Sequence, residues 1–138
     1  MPGDPSRTYR VTVPAEPDGL EHLHALIDRA RRDWPAVDSN DFDLLETAII
    51  ELAGNVAKHG RPAGATDVTL SVSVSDAALE ATLIDAGKPF EVDLDNSDLP
   101  PEMDEAGRGI AMARFAVDQL DYVHDDGVNT WHLLRNRR

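Results

Sequence analysis

The chain predicts an α+β fold, a two-layer α/β sandwich with helices on one face of a mostly antiparallel sheet. Three observations carry this. Strictly alternating segments come in adjacent pairs, as antiparallel hairpins require. Two stretches with apolar residues at three- and four-residue spacing stand between the first strand and the first of those pairs. No linker or internal repeat divides the 138 residues, so the chain builds one core.

Residues 1–7 (MPGDPSR) read as a flexible tail and residues 8–138 as a single domain. "TYRVTVPA" alternates and predicts a strand from Thr8 to about Val13. Pro17-Asp18-Gly19-Leu20 then opens a helix carrying Leu20, Leu23, Ile27 and Ala30, stopped before Pro35. "DSND" supplies caps for a second helix, whose stripe is Phe42, Leu45, Ile49, Leu52 and Val56, with Gly60 as its C-terminal cap. "TDVTLSVSVSD" puts Val68, Leu70, Val72 and Val74 on one face, and a partner strand runs from Asp76-Ala77-Ala78 to about Ile84. Residues 88–106 hold three prolines and no period, which predicts a long loop. "GIAMARFAVDQL" is a helix from near Gly109, and "LDYVH" and "VNTWHLLR" form a hairpin around Asp125-Asp126-Gly127.

Composition bounds the function. With 41% hydrophobic and 28% charged residues the chain is globular. It has no cysteine, so thiol and disulfide chemistry are excluded. No apolar run approaches the ~18 residues of a membrane span and no signal peptide is visible, so the expected location is the cytoplasm. A net charge of −13 repels a phosphate backbone and argues against nucleic-acid binding. A small anion would need a local pocket that defeats this field. A metal site at His22 and His24 is disfavoured, because i, i+2 spacing on a helix points the rings apart.

The second helix ends in "AIIELAGNVAKHG", with Glu51, Asn55 and His59 at steps of four. Taking Leu52 as the centre of the buried face, Asn55 falls roughly 60° away, His59 roughly 20° and Glu51 roughly 100°, all on the same side. An amide inside the apolar arc must be hydrogen-bonded or coordinate something, because burying it unpaired costs about 1–3 kcal/mol. Taken alone, this helix favours a bland answer: a solvated Glu51, a satisfied Asn55 and a His59 complementing the helix C-terminus. Two glycine-containing stretches downstream change that. "LIDAGKPF" sets Asp85 at a strand end, an acceptor for an exocyclic amine, with Gly87 letting a flat ring approach the backbone. "EAGRGIAMAR" sets Gly107 and Gly109 just before a helix, where free N–H groups make a phosphate seat. Each stretch alone is weak and is equally a turn or a loop.

In this order and spacing, "ELAGNVAKHG", "DAGKPF" and "GRGI" resemble the asparagine box and the two glycine boxes of the GHKL-type (Bergerat) ATP-binding fold. The closest likeness is to the anti-sigma factor serine/threonine kinases. "VTVPAEPDGLEHL" and "GVNTWHLLR" add to it, so the resemblance covers roughly residues 8–135. It implies ATP and Mg²⁺ as cofactors, with Asn55 as the metal ligand. Asp85 accepts the adenine amine, Gly87 flanks the base, and Thr130 helps at the adenine end. Gly107, Arg108 and Gly109 wrap the phosphates, Lys58 reaches phosphate or faces water, and Glu51 is the general base toward a serine hydroxyl. The implied function is sequestration of a sigma factor and phosphorylation of a serine on a STAS-type anti-sigma factor antagonist, by a homodimer. The alternative is a non-catalytic ATP-binding module that acts by partner binding; retention of Glu51 favours the kinase. His59 is read as structural. Lys88-Pro89-Phe90 departs from the second glycine of many GHKL ATPases and suits the anti-sigma subgroup better. Between the boxes, residues 91–105 carry seven acids and no base, an acidic lid that is either simply solvated or ordered by a basic partner.

Overall fold

The computed structural model describes residues 7–57, 67–87 and 105–138, with the backbone alone for residues 105–108. The elements follow the expected order: β1 (Arg7–Pro14), α1 (Gly19–Asp33), α2 (Ser39–Asn55), β2 (Asp67–Val74), β3 (Ala78–Asp85), α3 (Glu105–Ala116), β4 (Gln119–Asp125) and β5 (Val128–Asn136). The strands form one antiparallel sheet in the order β1-β2-β3-β5-β4. Arg7, placed in the tail by sequence, instead opens β1 and pairs with Asp33 at the end of α1 (2.9 Å).

The alternation predicted for the strands is realised. Val68, Leu70, Val72 and Val74 of β2, Leu79, Ala81 and Leu83 of β3, and Trp131 and Leu133 of β5 are buried on the face that carries the helices. Asp126 and Gly127 close the β4–β5 hairpin with φ of 51° and 75°. Both are left-handed, as a turn matching strand twist requires, and Asp and Gly are residues that tolerate it. In α2, Phe42, Leu45, Ile49 and Leu52 are buried, as is Val56 just beyond it. Asp38 caps α2 by accepting the Asn40 N–H at 2.8 Å. Gly60, residues 1–6, Lys58, His59, Lys88-Pro89-Phe90 and lid residues 91–104 lie outside the described residues.

The start of α3 is a correction. The helix begins at Glu105, not near Gly109, so both glycines lie inside its opening turns rather than before them. Glu105 and Ala106 are good helix formers and an acid suits the first turn, while glycine costs about 1 kcal/mol in a helix interior. Sequence periodicity is silent there because the glycines interrupt it.

One end of this layer is tied by charge. Arg135 of β5 and Asp41 of α2 are buried, 4% and 1% exposed. The Arg135 Nε donates to Asp41 Oδ1 at 2.9 Å and its Nη1 donates to the Ala116 carbonyl at the end of α3 at 3.0 Å. Asp41 Oδ2 accepts the Arg138 N–H at 3.0 Å, and the Arg138 guanidinium in turn holds Asp118 (2.8 Å). The C-terminal strand, α2 and α3 are thereby fastened together.

Candidate functional site

Register places the opposite end of the sheet in view. Val13 pairs with Val68, Val68 with Asp85, Asp85 with Asn129 and Asn129 with His124, a row crossing all strands on the helix face. Ala53, in the last turn of α2, and Ala57, two residues past it, line a pocket with Val13, Pro14 and Val68. The turn of α2 that carries Asn55 therefore sits over the sheet end that carries Asp85.

Asp85 is buried, 3% exposed. Its Oδ1 accepts two donors, the Gly87 N–H at 2.8 Å and the Asn129 side-chain amide at 3.0 Å. Its Oδ2 is buried with no donor among the described residues. A buried carboxylate oxygen left unpaired costs far more than one in water, so this atom calls for a ligand that brings an N–H or O–H. Gly87, also buried, is held beside the carboxylate by its N–H bond to Oδ1.

The second cluster lies where α3 crosses α2. Glu51 and Asn55 are one helical turn apart; Glu51 is exposed and Asn55 is buried. A Cβ on Gly109 would stand 2.9 Å from Glu51 Oε2 and 3.4 Å from both amide atoms of Asn55. The structure thus brings Gly109 of the second glycine box onto Glu51 and Asn55 of the asparagine box. Ala113 and Ala116, further along α3, are buried as well. Gly107 lies in the first turn of α3, where backbone N–H groups have no helical partner.

Thr130 is not brought to Asp85. It pairs with Ile84 and Val123, one residue out of phase with the Asp85 row, and strand side chains alternate faces. Asn129, which sequence reasoning passed over, holds that place and is fully buried. Tyr122 and His124 of β4 bond to its Oδ1 at 2.5 and 2.9 Å. The only sequence signal for it is parity: counting in twos from the buried Trp131 and Leu133 reaches Asn129, not Thr130. Arg108 has its backbone alone described. His24 engages Glu46 at 2.7 Å, and no group of three or more His, Asp or Glu side chains forms among the described residues. No helix among them is long and apolar enough to cross a membrane.

The sequence matches the family model of the histidine kinase-like ATPase domain over residues 13–133. The fold matches the crystal structure of the RsbU and RsbW domains of Rv1364c from Mycobacterium tuberculosis, with a TM-score of 0.68 and 19% identity. That match covers 96% of this chain and 33% of the other, so this chain spans about a third of that protein's length. No curated protein sequence matches the chain.

Proposed function

The chain belongs to the histidine kinase-like ATPase domain family, and from that premise we propose that it is a Mg-ATP-dependent serine/threonine kinase of the anti-sigma type. In this reading it holds a sigma factor, phosphorylates a serine on a STAS-type antagonist, and works as a cytoplasmic homodimer. ATP binding follows from the family. The finer assignment is supported by the motif set and by the RsbW-like fold.

The observation that carries the reading is the buried Oδ2 of Asp85, which has no donor among the described residues. It is a fixed acceptor suited to the exocyclic amine of adenine, with Gly87 leaving the ring room to approach. The amide oxygen of Asn55 fits a hard cation, and a bound Mg²⁺ would offset charge on the phosphates. The opening turn of α3, with Gly107, offers free N–H groups to the same phosphates. Glu51, exposed beside Asn55, is open to an incoming protein hydroxyl. It takes the proton as the serine Oγ–phosphorus bond forms and the bond from the γ-phosphorus to its bridging oxygen breaks, releasing ADP. The missing Cβ of Gly109 keeps the Glu51 carboxylate where it stands.

The test is incubation with γ-labelled ATP, Mg²⁺ and a STAS antagonist domain, with nucleotide affinity measured separately. Asn55→Ala is expected to lose both ATP binding and transfer. Glu51→Ala is expected to bind ATP within about threefold of wild type and to transfer at least ~100-fold more slowly. Unchanged ATP affinity in Asn55→Ala would remove the metal assignment. A wild-type chain that binds ATP without any transfer would be a regulatory module instead.

A further inference from the structure

We propose that Tyr122, His124 and Asn129 form a positioning relay that sets the base specificity of the nucleotide site by fixing which oxygen of Asp85 is left for the ligand. The proposal rests on the reading of Asp85 given above and extends it to three residues outside the asparagine box and the two glycine boxes.

The orientation of the Asn129 amide follows from chemistry alone. On one side it faces Asp85 Oδ1 at 3.0 Å and the Gly87 carbonyl at 3.3 Å. A carbonyl can only accept, so the group pointing there is the NH₂. The amide oxygen is therefore turned to β4, where the Tyr122 hydroxyl and His124 Nδ1 reach it. Since an amide oxygen only accepts, the His124 ring carries its proton on Nδ1. The buried amide is held from both sides: donors on its oxygen, acceptors on its nitrogen. A flip would set its oxygen against the Gly87 carbonyl and its NH₂ against two donors.

The consequence lies at Asp85. With the Gly87 N–H and the Asn129 NH₂ both on Oδ1, that oxygen is committed, and Oδ2, without a donor among the described residues, is the acceptor left for the ligand. A 6-amino purine brings a donor to it. A 6-oxo purine brings an acceptor against an acceptor. A site built around one unpaired polar atom rejects the mismatched analogue strongly. Loosening the relay lets Asp85 turn, and the discrimination falls. Tyr122 is packed against Trp131 with ring centroids 4.4 Å apart, so removing its hydroxyl leaves the ring seated.

The experiment is calorimetric titration of the full chain with Mg-ATP and Mg-ITP, which differ in the 6-amino and 6-oxo groups, with melting curves as a folding check. Wild type is expected to prefer ATP by at least ~100-fold. The double variant Tyr122→Phe/His124→Ala, altered outside the buried amide, is expected to lower the ATP:ITP ratio about tenfold. Asn129→Asp is expected to lower it further, because it removes the NH₂ that commits Oδ1 and sets an acceptor there instead. Tyr122→Phe alone, with His124 still in place, is expected to keep most of the ratio. A ratio within twofold of wild type in both the double variant and Asn129→Asp overturns the relay and leaves the nucleotide reading standing. A wild type that does not prefer ATP overturns both.

Discussion

The protein buries polar side chains at both ends of β5, and it treats them in opposite ways. At one end Arg135 and Asp41 are paired with each other, and their other atoms reach the Ala116 carbonyl and the Arg138 N–H. At the other, about 20 Å along the strand, Asn129 is satisfied on both sides while Asp85 keeps one oxygen without a donor among the described residues. Both groups sit on the same sheet face under the same helix layer, and burial does not tell them apart. Satisfaction does. A network whose donors and acceptors are matched fastens elements together; one that stops short by a single acceptor is shaped for something that arrives later.

The sharpest way to break this contrast is to exchange the expected costs. Arg135→Met leaves Asp41 buried without its cation, and breaking such a pair costs about 3–5 kcal/mol. Urea unfolding should show that loss, while the folded fraction still binds ATP. Asp85→Asn should do the reverse. Its oxygen still accepts from Gly87 and Asn129, so the unfolding midpoint should hardly move, yet the vacant acceptor becomes a donor and ATP affinity should fall at least ~100-fold. A large stability loss in Asp85→Asn with binding retained would dissolve the distinction between the two ends.

A smaller effect is expected where α3 meets α2. In Gly109→Ala the new methyl stands 2.9 Å from the end of a flexible glutamate side chain and 3.4 Å from Asn55. Glu51 can swing away at little cost, so stability and ATP affinity should stay near wild type. The displaced carboxylate is the candidate base, and phosphoryl transfer should drop about tenfold. Equal losses in affinity and transfer would place the effect on the phosphate seat instead.

The same contrast explains what could be read from sequence. Strands, hairpins and the α2 stripe were legible because period two, period 3.6 and the Asp126-Gly127 turn are local signals. Glu51, Asn55, Asp85 and Gly109 stand out as candidates because they sit in ordered boxes, and the structure brings Gly109 onto the first two. The start of α3 was not, since glycines erase the helical period. Asn129 was missed for its neighbour Thr130 because choosing between them needs the strand's parity, which only the buried Trp131 and Leu133 supply. The Arg135–Asp41 pair joins residues 94 apart in sequence, and nothing local announces it.

The smallest expected effect lies at the rim of the satisfied end. The side-chain bond from Arg138, helped by the Asn136 N–H, lowers the Asp118 pKa from 3.8 to about 2. A carboxyl whose folded pKa lies below its unfolded one stabilises the fold fully above the unfolded value. That contribution is lost as pH falls through the folded value. It should therefore be present at pH 5 and above and fade between about pH 4 and pH 2. Asp118→Asn should lower the melting temperature slightly at pH 7 and flatten the melting profile across that acid window, because a partly exposed pair contributes little. ATP affinity should be the same in both proteins at pH 7, since the residue belongs to the end of the sheet that fastens and not to the end proposed to hold the nucleotide. An acid profile unchanged by the substitution would mean that Arg138 and Asp118 meet without holding anything. The buried Arg135–Asp41 pair would then carry the fastening at that end alone.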